Sequence, residues 1–156
     1  MYDGLTWNDF GGYYEGDAWA ARGDAIERKE AAEEREHAAM ERTAKLYTEM
    51  AGLYPFGNEY AMFQLAWVKF KLGKTAELPG ILAHCKGFSS DAKYLTMQGA
   101  EALSRGRYRK AHALLAKSLK LDKGINETHS LLADYYRRKG DNAAADVHLR
   151  WLRRST

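Results

Sequence analysis

The sequence predicts an all-α chain built from repeated helix hairpins, and three observations lead there. Gly73, Gly106 and Gly140 fall 33 and 34 residues apart, each closing a run with helical apolar spacing. A second such run follows each glycine after the same short interval. Only two prolines, Pro55 and Pro79, interrupt the 156 residues, so few positions break a helix. A period near 34 marks stacked helical hairpins, whose apolar sides are covered by their neighbours.

The units align residue by residue. Gly99, Arg105, Gly106, Ala111 and Leu115 answer to Ala133, Lys139, Gly140, Ala145 and Leu149 one unit later, and Ala102 answers to Tyr136. The first unit is one residue shorter: Ala66, Gly73, Leu78 and Leu82 stand 33 positions before Gly99, Gly106, Ala111 and Leu115. Each residue type has a mechanical reason. A small residue in the first helix lets the second cross it closely. Glycine after the first helix takes the left-handed conformation that ends it. A small residue early in the second helix fits the hairpin, and a leucine four later fills the space between layers.

This pattern resembles the tetratricopeptide repeat family over residues 59–156, as three degenerate repeats. Gln98 and His129 stand where the family carries an aromatic or leucine, Lys123 where it carries a proline, and Leu78 at a small position. The resemblance implies a right-handed superhelical stack of antiparallel hairpins, the first helix of each lining a concave surface.

Four regions follow along the chain. Residues 1–17, rich in glycine and aromatics, read as a flexible arm. Residues 18–53 read as one long helix, followed by a loop holding Pro55 and Gly57. Helices are expected over 59–72, 77–86, 91–104, 108–121, 126–139 and 142–154. Asp91, Asn126 and Asp141 or Asn142 suit their N-terminal caps. In the long helix, residues 22–37 carry many opposite charges three or four apart. Ala18, Ala25, Ala32 and Ala39 recur every seven residues and continue to Leu46 and Leu53. From Met40 the apolar face broadens through Tyr47, Met50 and Tyr54. This helix reads as a cap on the first repeat, a dimerising helix or a solvated rod.

Composition narrows the setting. Apolar residues make up 46% of the chain, enough for a core. No apolar run approaches the ~20 residues that span a bilayer. The first residues lack the basic start and apolar stretch of a secretory signal. The single Cys85 excludes an internal disulfide, and a cytoplasmic, reducing setting is expected.

Charge divides the chain. Residues 1–92 are net −5 and residues 93–156 net +8, which together give the overall +3. Arg105, Arg107, Arg109 and Lys110 cluster at one hairpin turn, and Arg137, Arg138 and Lys139 at the next. Packed helices lie about 10 Å apart, so equivalent turns should join into one basic strip. The strip reads as a solvated edge, a site for an acidic protein segment or, least favoured, one for nucleic acid, because it has little aromatic interleaving and no reading motif.

Tyr60, Phe63, Trp67 and Phe70 fall on one helical face by spacing, and the resemblance puts them on the concave side. They suit a peptide anchor or a core covered by the preceding helix. The same resemblance places Lys93, Thr96, Ala100 and Leu103 next, then Glu127, Ser130, Asp134, Arg137 and Arg138. The partner-binding set expected from this is Tyr60, Phe63, Trp67, Phe70, Lys93, Thr96, Asp134, Arg137 and Arg138. A ligand with an apolar end followed by charged residues fits that gradient.

Self-association is expected from both ends. Trp7, Phe10, Tyr13, Tyr14 and Trp19 lie in the glycine-spaced arm and its junction with the helix, and such segments order on docking. The last predicted helix bears Val147, Leu149, Trp151 and Leu152, with no polar helix after it.

Catalysis finds little support. Gly73-Lys74-Thr75 resembles the end of a phosphate loop, but Val68 stands where a glycine is required and a helix precedes it. His37, His84, His112, His129 and His148 show no metal-ligand spacing among themselves or with Cys85. Neither metal nor cofactor is expected. Asn126-Glu127-Thr128 matches a glycosylation sequon and reads instead as a helix cap. The expected role is a non-enzymatic adaptor or scaffold binding a peptide or partner protein, in a homo-oligomer. Two alternatives stand beside it. The size, three repeats and leading helix look like the type III secretion translocator chaperones, which hold an extended segment of a secreted protein. A self-assembling structural protein joined head to tail is the other.

Overall fold

A computed structural model of the chain describes residues 7–53 and 58–155, with the side chains of the first helix from Ala18 onward. Seven α-helices and no strand occur among the described residues: α1 (Trp7–Leu53), α2 (Asn58–Lys71), α3 (Leu78–Leu82), α4 (Ala92–Ser104), α5 (Tyr108–Leu121), α6 (Asn126–Arg138) and α7 (Asn142–Ser155). None of these is long and apolar enough to cross a membrane.

Contacts divide the chain into residues 1–40 and 41–156. Within the first unit, helix α1 begins at Trp7 rather than at residue 18. Once nucleated, a helix gains a hydrogen bond for each residue added, so it propagates through Gly11, Gly12 and Gly16 although each costs about 1 kcal/mol relative to alanine. The arm expected over 1–17 is therefore helical from Trp7. Side chains from Ala18 to Ala39 are exposed, including the alanine seam, and Lys29 pairs with Glu33 one turn away at 3.8 Å.

The second unit starts with the last turns of α1. Ala44 is buried, and Glu41 meets Lys74, in the turn after α2, at 3.4 Å. Three hairpins follow: α2–α3, α4–α5 and α6–α7. Each first helix ends in the same double hydrogen bond. Lys74 N–H donates to the Lys69 carbonyl, Arg107 to Ala102, and Asp141 to Tyr136, at 3.0, 2.9 and 2.9 Å. The glycine before each donor bonds three residues back, to Phe70, Leu103 and Arg137. This arrangement needs a left-handed residue, and Gly73, Gly106 and Gly140 supply it with φ of 77°, 73° and 79°. The caps at Asp91 and Asp141 form as expected, accepting from Lys93 N–H and Ala144 N–H. Asn126 instead sits inside α6, with Ile125 at the cap position.

The close crossing in the second hairpin has a direct measure. A Cβ built on Gly99 would lie 2.7 Å from both Cγ and Cδ2 of Leu115, so only glycine admits the leucine. Ala111, Leu115, Ala133 and Ala145 are all buried at the aligned positions.

The first hairpin departs from the other two. Its second helix was expected over 77–86 but covers only Leu78–Leu82, between 3₁₀ turns at Thr75–Glu77 and Lys86–Phe88. Pro79 at its start has no N–H to extend it backwards, and Gly80 adds an unfavourable residue. Leu78 is nevertheless fully buried, in a cluster with Phe63, Ala66, Leu82, Cys85, Tyr94 and Met97.

Helix α4 touches α2, α3, α5 and α6 and forms the middle of the stack. At its centre, Thr96 Oγ1 lies 2.7 Å from the Ser118 hydroxyl of α5 and 2.7 Å from the Thr128 hydroxyl of α6. Ser118 also donates to the Ala92 carbonyl at 2.7 Å. All three hydroxyls are buried, and each is hydrogen-bonded.

Candidate functional site

The aromatic face of α2 is divided by the fold. Phe63 is only 5% exposed and stacks on Phe88 with ring centroids 4.6 Å apart and planes 9° from parallel. It is a core residue, so its expected contact with a partner is corrected. The 3₁₀ turn that shortens the first hairpin is what places Phe88 there. Tyr60 is 56% exposed and tilted towards Phe88 at 6.4 Å. Trp67 and Phe70 are half-buried, 5.3 Å apart and tilted, and pack against the core from outside. The Lys93 ammonium, from the start of α4, sits 4.9 Å over the Trp67 ring. Tyr60, Trp67 and Lys93 thus present accessible aromatic surface and a cation on the first helices of two successive hairpins.

Thr96 does not belong to that surface. It is wholly buried in the hydroxyl cluster, and Ala100 and Leu103 beside it are buried too. The expected contact at Thr96 is corrected for this reason: α5 and α6 both close over it.

Further along, Asp134 pairs with Arg138 at 3.1 Å on α6, and Arg137 is exposed. The Tyr108 hydroxyl first, and Asp134 second, hold the Arg138 guanidinium above its ordinary pKa. Tyr108 itself packs with Leu131 and Tyr135 on the buried cluster of Ala102, Leu103 and Ala111.

A second constellation lies between α6 and α7. Trp151 stacks on His129 at 3.8 Å and 13°. His129 Nδ1 is 3.0 Å from His148 Nδ1, and its Nε2 donates to the Lys123 carbonyl at 2.8 Å. His148 in turn stacks on Tyr136, whose hydroxyl lies 3.0 Å from His112 Nε2. Leu149, Trp151 and Leu152 are half-buried, while Val147 is exposed. A cleft of about 380 Å³ is lined by Leu119, Val147 and Trp151, with Lys123, Arg150 and Arg154 also on its wall. The sequence reading did not find the histidine pair, because 19 residues separate its members on two helices. Among the described residues no three His, Cys, Asp or Glu side chains gather as a metal site.

Of the residues expected to self-associate at the other end, Trp19 is exposed, with Arg22 5.3 Å over its ring. The side chains of Trp7, Phe10, Tyr13 and Tyr14 lie outside the described residues. Comparison with protein-family models, curated proteins and solved structures finds no match.

Proposed function

We infer that this chain is a protein-interaction module, an array of the tetratricopeptide type that holds an extended peptide along the first helices of its hairpins. One observation carries the reading. Trp67 keeps accessible surface while Phe70 packs against its ring and the Lys93 ammonium lies over it. An aromatic side chain already ordered before binding loses little freedom on contact, which is the property of a binding anchor. Tyr60, two helical turns earlier, extends the surface, and Lys93 supplies a cation for an acidic group next to an apolar one.

The test is an array of peptides combining an apolar residue with a nearby carboxylate, probed with the wild-type chain, Trp67→Ala and Lys93→Glu. Trp67→Ala is expected to lose the bound set, and Lys93→Glu to lose its acidic members. Circular dichroism melts confirm that each variant is folded. A bound set identical for all three proteins overturns the assignment.

A second reading, self-association, draws support from Trp19, Leu46, Met50 and Leu53, all exposed on α1. Mass by light scattering across a concentration series distinguishes it: a constant monomer mass counts against assembly.

A further inference from the structure

Two hairpin turns meet at Tyr108. The α4–α5 turn carries Arg105 and Arg107, with Arg109 and Lys110 opening α5, while Arg137 and Arg138 close α6 and Lys139 follows in the α6–α7 turn. The Lys139 ammonium lies 5.4 Å over the Tyr108 ring, and Arg138 is held by the Tyr108 hydroxyl. Turns from successive repeats are thereby joined into one cationic edge. Arg107, Arg109 and Lys110, with Tyr108 and Ala113, line an open depression of about 500 Å³.

The carboxylates around this edge are engaged. Glu101 pairs with Arg105, Asp134 with Arg138, and Asp141 accepts from the Ala144 N–H at the head of α7. Among the described residues no carboxylate pairs with Arg107, Arg109, Lys110 or Arg137, and all four are exposed. The edge therefore holds concentrated charge that the chain itself does not neutralise.

We propose that this edge, from Arg107, Arg109 and Lys110 to Arg137 and Lys139, binds an acidic peptide segment lying across the two turns. Two points favour carboxylates over a nucleic acid strand. Single strands are held by aromatic platforms set among cations, and the one aromatic lining the depression has Lys139 over its ring and Arg138 at its hydroxyl. The cations gather at helix ends, Arg107 and Lys139 on the turns, Arg109 and Lys110 opening α5 and Arg137 closing α6, rather than along one helix that enters a groove, so no base edge is read. Guanidinium forks would grip such carboxylates with two parallel hydrogen bonds, as they would a phosphate, so the oligonucleotide is the necessary control. Spacing adds a sequence preference. Equivalent turns are separated by about the 10 Å of packed helices, and a peptide in the polyproline II conformation covers that in about three residues, one full turn, which returns the side chain to the same face. Acidic residues at every third position fit best.

This surface is separate from Tyr60, Trp67 and Lys93, so it stands or falls independently of the groove. The probe is a fluorescent peptide with glutamates at every third position among glycine and serine, titrated by anisotropy against the full chain. A single-stranded oligonucleotide of equal charge is titrated in parallel. The Arg109→Glu/Lys110→Glu variant is expected to weaken peptide binding about tenfold or more, and Lys93→Glu to change it less than about twofold. Raising salt from about 0.05 M to about 0.3 M is expected to weaken it as well, since screening shortens the reach of exposed charge. Circular dichroism verifies that both variants fold. Absence of peptide binding, equal binding by the doubly reversed variant, or tighter binding of the oligonucleotide would each overturn the proposal.

Discussion

His129 and His148 share a single hydrogen between Nδ1 atoms 3.0 Å apart. The Lys123 carbonyl can only accept, so the His129 Nε2 at 2.8 Å from it carries a hydrogen. A neutral His129 must then accept at Nδ1, and His148 must donate. Both tautomers follow from one backbone carbonyl.

This geometry predicts an acid-sensitive stability. Burial first, and neighbouring His129 second, lower the His148 pKa below its ordinary 6.5. The unfolded chain therefore binds the proton more readily, and stability falls as pH drops below about 6.5. The melting temperature of the wild type is expected to fall more between about pH 7.5 and about pH 5.5 than that of His148→Gln. Parallel losses in the two proteins would remove the histidine from the explanation.

Gly99→Ala is expected to destabilise the chain by about 1–2 kcal/mol in urea unfolding, through overpacking against Leu115. On an exposed helix the same change stabilises by about 1 kcal/mol, so the sign is diagnostic. In the double variant Gly99→Ala/Leu115→Ala the penalties should sum to less than their separate values, because the clash is gone.

Thr96→Val removes the hydroxyl that Ser118 and Thr128 both approach. The expected loss is about 1–3 kcal/mol, chiefly from leaving the Thr128 hydroxyl without its partner. Replacing the cluster together, as Thr96→Val/Ser118→Ala/Thr128→Val, should cost less than the sum of the single changes. Additive losses would show that the three hydroxyls act separately.

Cys85 is fully buried, and burial first, with the Glu59 charge second, raises its thiol pKa to about 11. The thiolate is the reactive form, so a thiol reagent at neutral pH should label native protein only at the rate of opening. Added urea should restore the rate of an ordinary cysteine. Prompt labelling in the native state would contradict this burial.

The stack was legible in the sequence where its physics is local. A glycine that must adopt positive φ, a small residue at a crossing, and an aspartate that caps a helix each act within a few positions. Gly73, Gly106, Gly140, Asp91 and Asp141 were read correctly for that reason. The misreadings come from longer range. Thr96 was assigned to the groove by its place in the repeat, yet its environment is set by hydroxyls 22 and 32 residues away. Phe63 could not be told from Tyr60 and Trp67 by spacing, because what distinguishes it is Phe88 on a 3₁₀ turn without helical pattern. The long helix was begun too late because glycine and aromatic content outweighed the ease of extending a helix already formed.

The short α3, bracketed by two 3₁₀ turns, gives the array a soft end. Helices α4, α5 and α6 are joined through the Thr96 hydroxyl, so opening any one of these layers costs a buried hydroxyl its partner. The first hairpin is outside that junction and has only five α-helical residues in its second arm. Slow hydrogen exchange should persist from α4 through α6 while the short arm, Leu78–Leu82, exchanges sooner. A peptide held on the preset Trp67 ring would then slow exchange in that short arm without having to order its own anchor.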